Sequence, residues 1–352
     1  MPSVAYWSEL EKNYKGYYFL FTWTTFDCSM FTQDELESWA KDDARHLLGL
    51  FYGGLGIFYI LCYIPCILAM FNKEHFVNPC YKLMIFLSFL DIINLSLLGP
   101  LTGYLTYHGY SACMFSRLNI VAGTVIFATF SALNFATIIL LISRLLEYAK
   151  PTMAKTLFEG PKTYFWLLLS TAYGIIGALS TRTLFFCAYG GFWSFDPYTG
   201  LPIEHIKFEE NYFHQTQSLL YVIFSGLLYL TYMILYFVEI SKTSSMTLSC
   251  VTFVLTAQVL VISLVQDATH IMFILIFYIK TNSTIFGTCA YFFWINLHGC
   301  TSIVLLIFNK SLKKTMKYTY FGVRDSGGVI SVGAPSAKAN LKVVRSVRPI
   351  PT

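Results

Sequence analysis

The chain has 352 residues, of which 56% are hydrophobic and only 12% are charged, and its mean hydropathy is +0.58. Soluble domains carry about 25% charged residues, so this composition excludes a soluble globular protein, a coiled coil and a disordered chain. Aromatic residues make up 18%, as expected of apolar spans with interfacial rings. The composition indicates an integral membrane protein, and the net charge of +5 matters through its distribution.

Seven apolar stretches have the length of a transmembrane helix, roughly 17–25 residues. In chain order they are Leu47–Met70, Leu83–Leu105, Leu118–Ser143, Tyr164–Thr181, Ser218–Val238, Cys250–Tyr278 and Ile285–Phe308. Strand-like alternation with short turns is absent, so we predict an all-α membrane protein, a bundle of seven transmembrane helices. Gly49-x-x-x-Gly53 and Gly99-x-x-x-Gly103 permit close helix contacts, although such matches are common in spans.

The ends of the chain differ in character from the seven-helix bundle of residues 47–308. Residues 1–46 form an N-terminal segment without the features of a cleaved signal peptide. In residues 309–321, Leu312, Met316 and Tyr320 share one helix face and four lysines cover the other, which predicts a short amphipathic helix; a plain basic flank is the alternative. Residues 322–352 are rich in Gly, Ser and basic residues without periodicity, which predicts disorder.

Lysine and arginine set the orientation of the bundle. Sixteen of the 24 lie in the tail and in the loops on its side of the membrane, and cytosolic loops carry this excess. We therefore predict a multi-pass plasma membrane protein with the N-terminus outside and the tail in the cytosol. Receptors have this topology, and so do rhodopsin-like pumps, but the seventh span has no lysine for a retinal Schiff base.

Four polar residues lie at similar depth in the predicted bundle. Asp91, Asn134 and His298 are about 12, 14 and 15 Å from the cytosolic ends of their spans, at 1.5 Å per residue, and Asn296 lies just above. Ionisable groups inside a bilayer are costly and mark function by default. We predict a polar layer that links moving helices; a static hydrogen-bonded network is the alternative.

Two further sites are expected nearer the ends of the helices. Asp267 and His270 lie three residues apart on the sixth span, which puts both toward the same face and predicts contact with a ligand in an outer cavity, unless solvent surrounds them. Arg144 ends the third span and is followed by Glu147. An arginine here can hold the third and sixth helices together and release on activation, or it can be a simple anchor at the cytosolic surface.

Three cysteines face the outside in this topology. Cys113 precedes the third span and Cys187 follows the fourth, so we predict a Cys113–Cys187 disulfide, with Cys28 as the competing partner. The histidines lack the spacing of a metal site, and no phosphate-binding loop or nucleophile elbow occurs. We therefore expect no enzyme activity, metal, cofactor or nucleic-acid partner, and the bilayer as surroundings.

The order of several short motifs resembles that of the nematode serpentine chemoreceptors of class T (Srt), a group of G-protein-coupled receptors. These motifs are Cys28 with Trp39, Tyr63-Ile-Pro-Cys66, Cys80-Tyr81-Lys82-Leu83-Met84 leading to Asp91, Gly99-x-x-x-Gly103, Ser143-Arg-Leu-Leu-Glu147, Phe192-Trp193-x-Phe195-Asp-Pro197, Gln258, His298-Gly299 and Asn309-Lys310. Two departures are Ser143, where the family has asparagine, and a missing proline after His298-Gly299.

The resemblance implies a chemosensory receptor, with the sensory cilium as its expected site. An external small molecule is expected to bind in the outer half of the bundle, and Arg144, Glu147 and the basic helix after Asn309 are expected to engage a heterotrimeric G protein. A seven-span transporter or ligand-gated channel remains an alternative, although only Asp91 and Asp267 supply charge within the spans. A non-signalling accessory subunit is the other alternative.

Overall fold

The computed structural model describes Cys28 and residues 31–196, 198–199, 211–242, 250–279 and 284–321. The expected disorder of residues 322–352 and most of the predicted N-terminal segment lie outside the described residues. Seven long helices make up the bundle: His46–Met70, Pro79–His108, Ser116–Ala149, Lys162–Leu179, Tyr212–Lys242, Cys250–Ile279 and Thr284–Phe308.

Six of these helices are long and apolar enough to cross a membrane, judged by length and composition. The exception is the fourth, which is also the shortest. Its 18 residues span about 27 Å at 1.5 Å per residue, close to the roughly 30 Å of hydrocarbon in a bilayer. It packs along the third span, which is also the most buried of the helices. Together the helices form the predicted seven-span bundle.

Consecutive spans pack against each other from the first to the fourth and from the fifth to the seventh, and the first also contacts the seventh. The fourth and fifth spans meet through Tyr173, whose hydroxyl donates to Gln217 Oε1 over 3.1 Å. The third span passes through the middle and also contacts the fifth. We call the end of the bundle next to the N-terminal helix Gln33–Asp43 the N-terminal face, and the opposite end the C-terminal face.

Glycines let the first and second spans approach closely. A Cβ atom on Gly99 would lie 2.6 Å from the Cα of Gly56, and one on Gly103 would lie 2.6 Å from the carbonyl oxygen of Gly49. Since real Cβ atoms do not approach so near, these positions accept only glycine at this separation. The predicted Gly99-x-x-x-Gly103 contact is present, with Gly49 and Gly56 as its partners.

The second span changes helix type in its C-terminal part, toward the N-terminal face of the bundle. Residues Leu97–Leu101 form a π-helical turn that contains Pro100, and the α-helix resumes at Thr102 and ends at His108. Proline has no N–H for the helical ladder, and π-bulges absorb such interruptions. The helix stops at Gly109, whose φ of 70° is the left-handed conformation that glycine favours.

A β-hairpin covers the N-terminal face of the bundle. Strands β1 (Phe185–Cys187) and β2 (Phe192–Ser194) pair antiparallel with Phe186 opposite Trp193. The Trp193 indole N–H donates to Thr102 Oγ1 over 2.8 Å, and the Phe186 amide donates to Asn119 Oδ1 over 3.0 Å. These bonds fasten the hairpin to the second and third spans.

In the described residues, the C-terminal face carries three short helices. Lys73–Phe76 joins the first and second spans, Pro151–Phe158 joins the third and fourth, and Lys310–Phe321 follows the seventh. In the last of these, Leu312 is fully buried and Met316 packs against the core, whereas Lys314 and Lys317 are exposed. This is the predicted amphipathic helix, one residue shorter at its start.

Candidate functional site

A buried carboxylate joins three spans in the C-terminal half of the bundle. Asp91 is 2% exposed, and its Oδ1 lies 2.8 Å from His298 Nδ1 on the seventh span. On the first span, the Tyr63 hydroxyl donates to Asp91 Oδ2 over 2.6 Å and lies 2.8 Å from the carbonyl oxygen of His298. Both carboxylate oxygens are thus satisfied, as a group at this depth requires. We call these three residues the core triad.

Asn134 does not lie in the layer predicted for it. Its Oδ1 is 3.1 Å from His270 Nε2, and His270 Nδ1 is 3.0 Å from Ser218 Oγ. This second polar cluster joins the third, fifth and sixth spans. The expectation was wrong because equal depth fixes the height of a residue but not the direction in which its helix points it.

Asn296 was assigned to the same layer and also lies elsewhere. It accepts a 2.6 Å hydrogen bond from the Tyr59 hydroxyl, and its amide donates to the carbonyl of Phe292. It is half-buried at the contact of the first and seventh spans. The predicted polar layer is therefore three separate sets of contacts, of which only Asp91 and His298 meet as expected.

Asp267 and His270 do not share a cavity, contrary to the expectation from their spacing. Asp267 is half-buried between the fifth and sixth spans, where its Oδ1 accepts a 2.6 Å hydrogen bond from Ser225, whereas His270 is fully buried in the second polar cluster. Three residues correspond to about 300° of rotation on a helix, so the two side chains diverge by about 60°.

Gln266 was overlooked as a core residue. The Tyr221 hydroxyl donates to its Oε1, and its Nε2 donates to Thr137 Oγ1 over 3.1 Å. Gln266 lies one turn before His270 at i, i+4, which is the better spacing for a shared face. That spacing is the signal that could have identified it.

An aromatic cluster lies between the second polar cluster and the hairpin. Its members are Phe127 and Phe130 on the third span, Phe195 after β2, His214 on the fifth, Phe273 on the sixth and Trp294 on the seventh. Phe130 is central: its ring centroid is 5.3 Å from that of His270 and 6.5 Å from that of His298. This one ring therefore contacts His298 of the core triad and His270 of the second polar cluster.

Arg144 is buried at the C-terminal face with an exposure of 5%. It forms an ion pair with Glu147 on the same helix, so the described part of the chain shows the i, i+3 pair rather than a salt bridge from the third to the sixth span. Arg144 also lines a small cavity with Tyr229 and Val259, between the third, fifth and sixth spans.

Asn309 connects the ends of several elements at this face. Its amide lies 3.5 Å from the Tyr81 hydroxyl on the second span and 3.4 Å from Gln258 Oε1 on the sixth. Its Oδ1 accepts a 3.0 Å hydrogen bond from the amide of Leu312 and so caps the C-terminal helix. Movement of the sixth span would therefore disturb the start of this helix.

The predicted Cys113–Cys187 disulfide is wrong. Cys113 is bonded to Cys28, with Cα atoms 5.5 Å apart, so the bridge ties the N-terminal segment to the start of the third span. Cys187 is a buried free thiol in β1, 3.2 Å from the carbonyl oxygen of Thr199. Burial raises the pKa of the Cys187 thiol to about 12, which keeps it protonated.

Comparison with solved structures identifies the fold. The structure is similar to the crystal structure of squid rhodopsin, with a TM-score of 0.58, 14% identity, and coverage of 79% of this chain and 85% of that chain. No curated protein sequence matches the chain.

The sequence profile described as "Serpentine type 7TM GPCR chemoreceptor Srt" matches residues 15–325, which is most of the chain. The match includes all seven spans, the hairpin and the C-terminal helix. The chain is a multi-pass membrane protein of the seven-transmembrane receptor type, and it belongs to the Srt family of serpentine chemoreceptors.

Proposed function

We propose that this receptor detects an external small molecule and signals to a heterotrimeric G protein. The N-terminal face lies outside the cell and the C-terminal face in the cytosol, and the supporting argument is the excess of Lys and Arg on the C-terminal side. The plasma membrane, in a sensory cilium, is the proposed location.

The ligand is proposed to act on the outer half of the bundle. His270 belongs to the second polar cluster directly under the aromatic rings, so a molecule among these rings changes the contacts of His270 through Phe130. Asp267 acts from the side: because its bond to Ser225 holds the fifth span to the sixth, a ligand that separates these spans must break it.

The core triad is the single observation that carries the proposal. Asp91, Tyr63 and His298 place a carboxylate between the first, second and seventh spans, and Phe130 lies against His298 at one end of the triad. Because the buried carboxylate is costly to leave unpaired, the helices around it favour two discrete arrangements over a gradual deformation. A ligand that prefers one of them shifts the population between them.

The C-terminal face is where the G protein is proposed to bind. Glu147 is 42% exposed while its partner Arg144 is 5% exposed, so an incoming partner can reach the carboxylate and release the guanidinium. Asn309 and Gln258 link the sixth span to the C-terminal helix, and that helix presents lysines to the solvent.

A G-protein dissociation assay tests this proposal. Cells that express the receptor, one G-protein class at a time, are exposed to a panel of volatile and water-soluble small molecules. We expect a subset of compounds to activate one class, and Arg144→Ala to abolish the response at equal surface expression. A compound-evoked ionic current that persists after all G proteins are inactivated would support a ligand-gated channel instead.

A further inference from the structure

Two polar atoms in the aromatic cluster have no hydrogen-bond partner among the described residues. His214 is 7% exposed and its Nδ1 is unpaired, and Trp294 is 5% exposed with an unpaired indole Nε1. Buried polar atoms are nearly always satisfied, and an unsatisfied one costs free energy. Each of these two atoms therefore needs a hydrogen-bond partner that the described residues do not supply.

The two atoms belong to rings that share the same neighbours. The Phe273 ring is 5.1 Å from that of His214 and 5.5 Å from that of Trp294, and the Phe130 ring is 6.0 and 5.6 Å from the same two rings. The two unpaired atoms, one on the fifth span and one on the seventh, therefore belong to rings that both border Phe130 and Phe273.

One ring of the cluster does not come from a helix. Phe195 follows β2, is half-buried, and lies 5.3 Å from the His214 ring and 5.7 Å from the Phe127 ring. Trp193 and its bond to Thr102 fix the hairpin, so Phe195 can leave by rotation of its own side chain without unpacking a span.

The chemistry of the surroundings limits what can replace this ring. In the described part of the chain, the rings that contact His214 are those of Phe127, Phe130, Phe195 and Phe273. Among the described residues these four rings offer a bound molecule no counter-charge, so we expect the desolvation cost to disfavour a charged molecule. A flat apolar molecule gains the edge and face contacts that aromatic rings prefer.

We propose that Phe195 occupies the ligand site as a built-in aromatic ring, and that the ligand is a neutral aromatic ketone that takes its place. The ring of the ketone lies between Phe127 and His214. The carbonyl oxygen of the ketone accepts hydrogen bonds from Trp294 Nε1–H and from the Nδ1–H of the neutral His214 imidazole. This inference rests on the proposed function, since it names the ligand class of that receptor.

Acetophenone and cumene are the matched probes, because they have nearly the same shape and only acetophenone has a carbonyl. The purified receptor is placed in lipid nanodiscs without a G protein, and each apparent affinity is taken from the rise of the thermal unfolding midpoint with probe concentration. Phe195→Ala opens the site, and Phe195→Leu is the milder variant if the alanine variant does not fold. Phe51→Ala removes an exposed ring stacked on Phe292 and controls for probe dissolved in the lipid.

We expect Phe195→Ala to bind acetophenone about tenfold more tightly than the native receptor, because a tethered competitor has been removed. In that background, Trp294→Phe and His214→Phe should each reduce the preference for acetophenone over cumene by about three- to tenfold, the value of one hydrogen bond. Equal affinities in native and Phe195→Ala receptors, or an unchanged preference in both ring variants, would overturn the proposal. Since no G protein is present, loss of signalling and loss of this site are distinguished.

Discussion

His75 shows how one side chain can connect two elements at the C-terminal face. It lies in the short helix after the first span, is 5% exposed, and its Nε2 is 2.8 Å from Thr315 Oγ1 on the C-terminal helix. Its ring also contacts Tyr81, with centroids 4.7 Å apart. Burial lowers the pKa of His75, and the nearby Glu74 opposes this shift only in part.

Acid should therefore weaken the docking of the C-terminal helix. The unfolded histidine has a pKa of about 6.5 and the folded one a lower pKa, so the unfolded state binds more protons as the pH falls through 6.5 and stability is lost below that value. We expect amide hydrogen exchange in Lys310–Phe321 to speed up between pH 7.5 and 5.5 once corrected for intrinsic rates, and His75→Gln to remove the change. His46→Gln, at the opposite face, is the control; if it flattens the profile equally, His75 is not the cause.

The sequence predicts the depth of each polar residue in the bundle, but it does not predict the direction in which the side chain points. Asp91 and His298 meet because each is at the same height and each points inward. Asn134 and Asp267 have partners on other spans because the rotation of each helix follows from packing, which a single sequence leaves open. Tyr63 was passed over because a tyrosine in an apolar span carries no charge to draw attention.

The contact between the first and second spans depends on glycine at specific positions. Gly56 meets Gly99 backbone to backbone, whereas a Cβ atom on Gly54 would have no heavy atom within 4 Å. Leucine at the first position has no space unless the helices separate, and forced overpacking costs about 1–3 kcal/mol. We expect Gly56→Leu to lower the thermal unfolding midpoint clearly and Gly54→Leu to leave it nearly unchanged. Similar midpoints for the two variants would contradict the close approach.

The disulfide between the N-terminal segment and the third span should stabilise the N-terminal face. Cys28 and Cys113 are 85 positions apart, and cross-links that close long loops typically contribute about 2–4 kcal/mol. We expect Cys28→Ser, Cys113→Ser and the double variant to lower stability by the same amount, and Cys187→Ser to have little effect. A Cys113–Cys187 peptide found by non-reducing mass spectrometry would contradict this pairing.

Hydropathy was sufficient to predict the long elements, because a span must be apolar over its whole length whatever it packs against. The C-terminal helix could be predicted from its periodicity, because an apolar face and a basic face repeat with the helical period. The β-hairpin was missed, because three-residue strands such as Phe185–Cys187 carry no usable alternation. The sequence leaves Cys28 as a competing partner because it lies 85 positions from Cys113 along the chain; in the fold, Leu36 of the N-terminal helix packs in one cluster with both cysteines.

The orientation of the whole molecule is a property of its charge distribution. In the predicted topology, two thirds of the Lys and Arg residues lie in the tail and in the loops on its side, so the positive-inside rule predicts that this side faces the cytosol. An epitope tag before Met1 should be stained on intact cells, and a tag after Thr352 only after permeabilisation. Staining of the C-terminal tag on intact cells would reverse the assignment of the two faces.

Across the whole molecule, the contacts form a sequence from one face to the other. The hairpin places Phe195 on the aromatic cluster, Phe130 contacts both His270 and His298, and the seventh span continues from His298 to Asn309 at the C-terminal face. The core triad is the essential link in this series of contacts, because it fixes the position of the seventh span relative to the first and second.

Nucleotide exchange on a G protein by the receptor in nanodiscs tests that step most directly. Asp91→Asn keeps the shape of the side chain and removes its charge, so we expect it to fold while its basal or compound-driven exchange changes by about 5- to 150-fold, the range of coupling energies of 1–3 kcal/mol. Asn94→Ser is the control, since among the described residues the Asn94 amide donates within its own helix, to the carbonyl of Leu90. Exchange by Asp91→Asn that equals the native rate, with and without compound, would show that the triad is structural packing and would contradict the account.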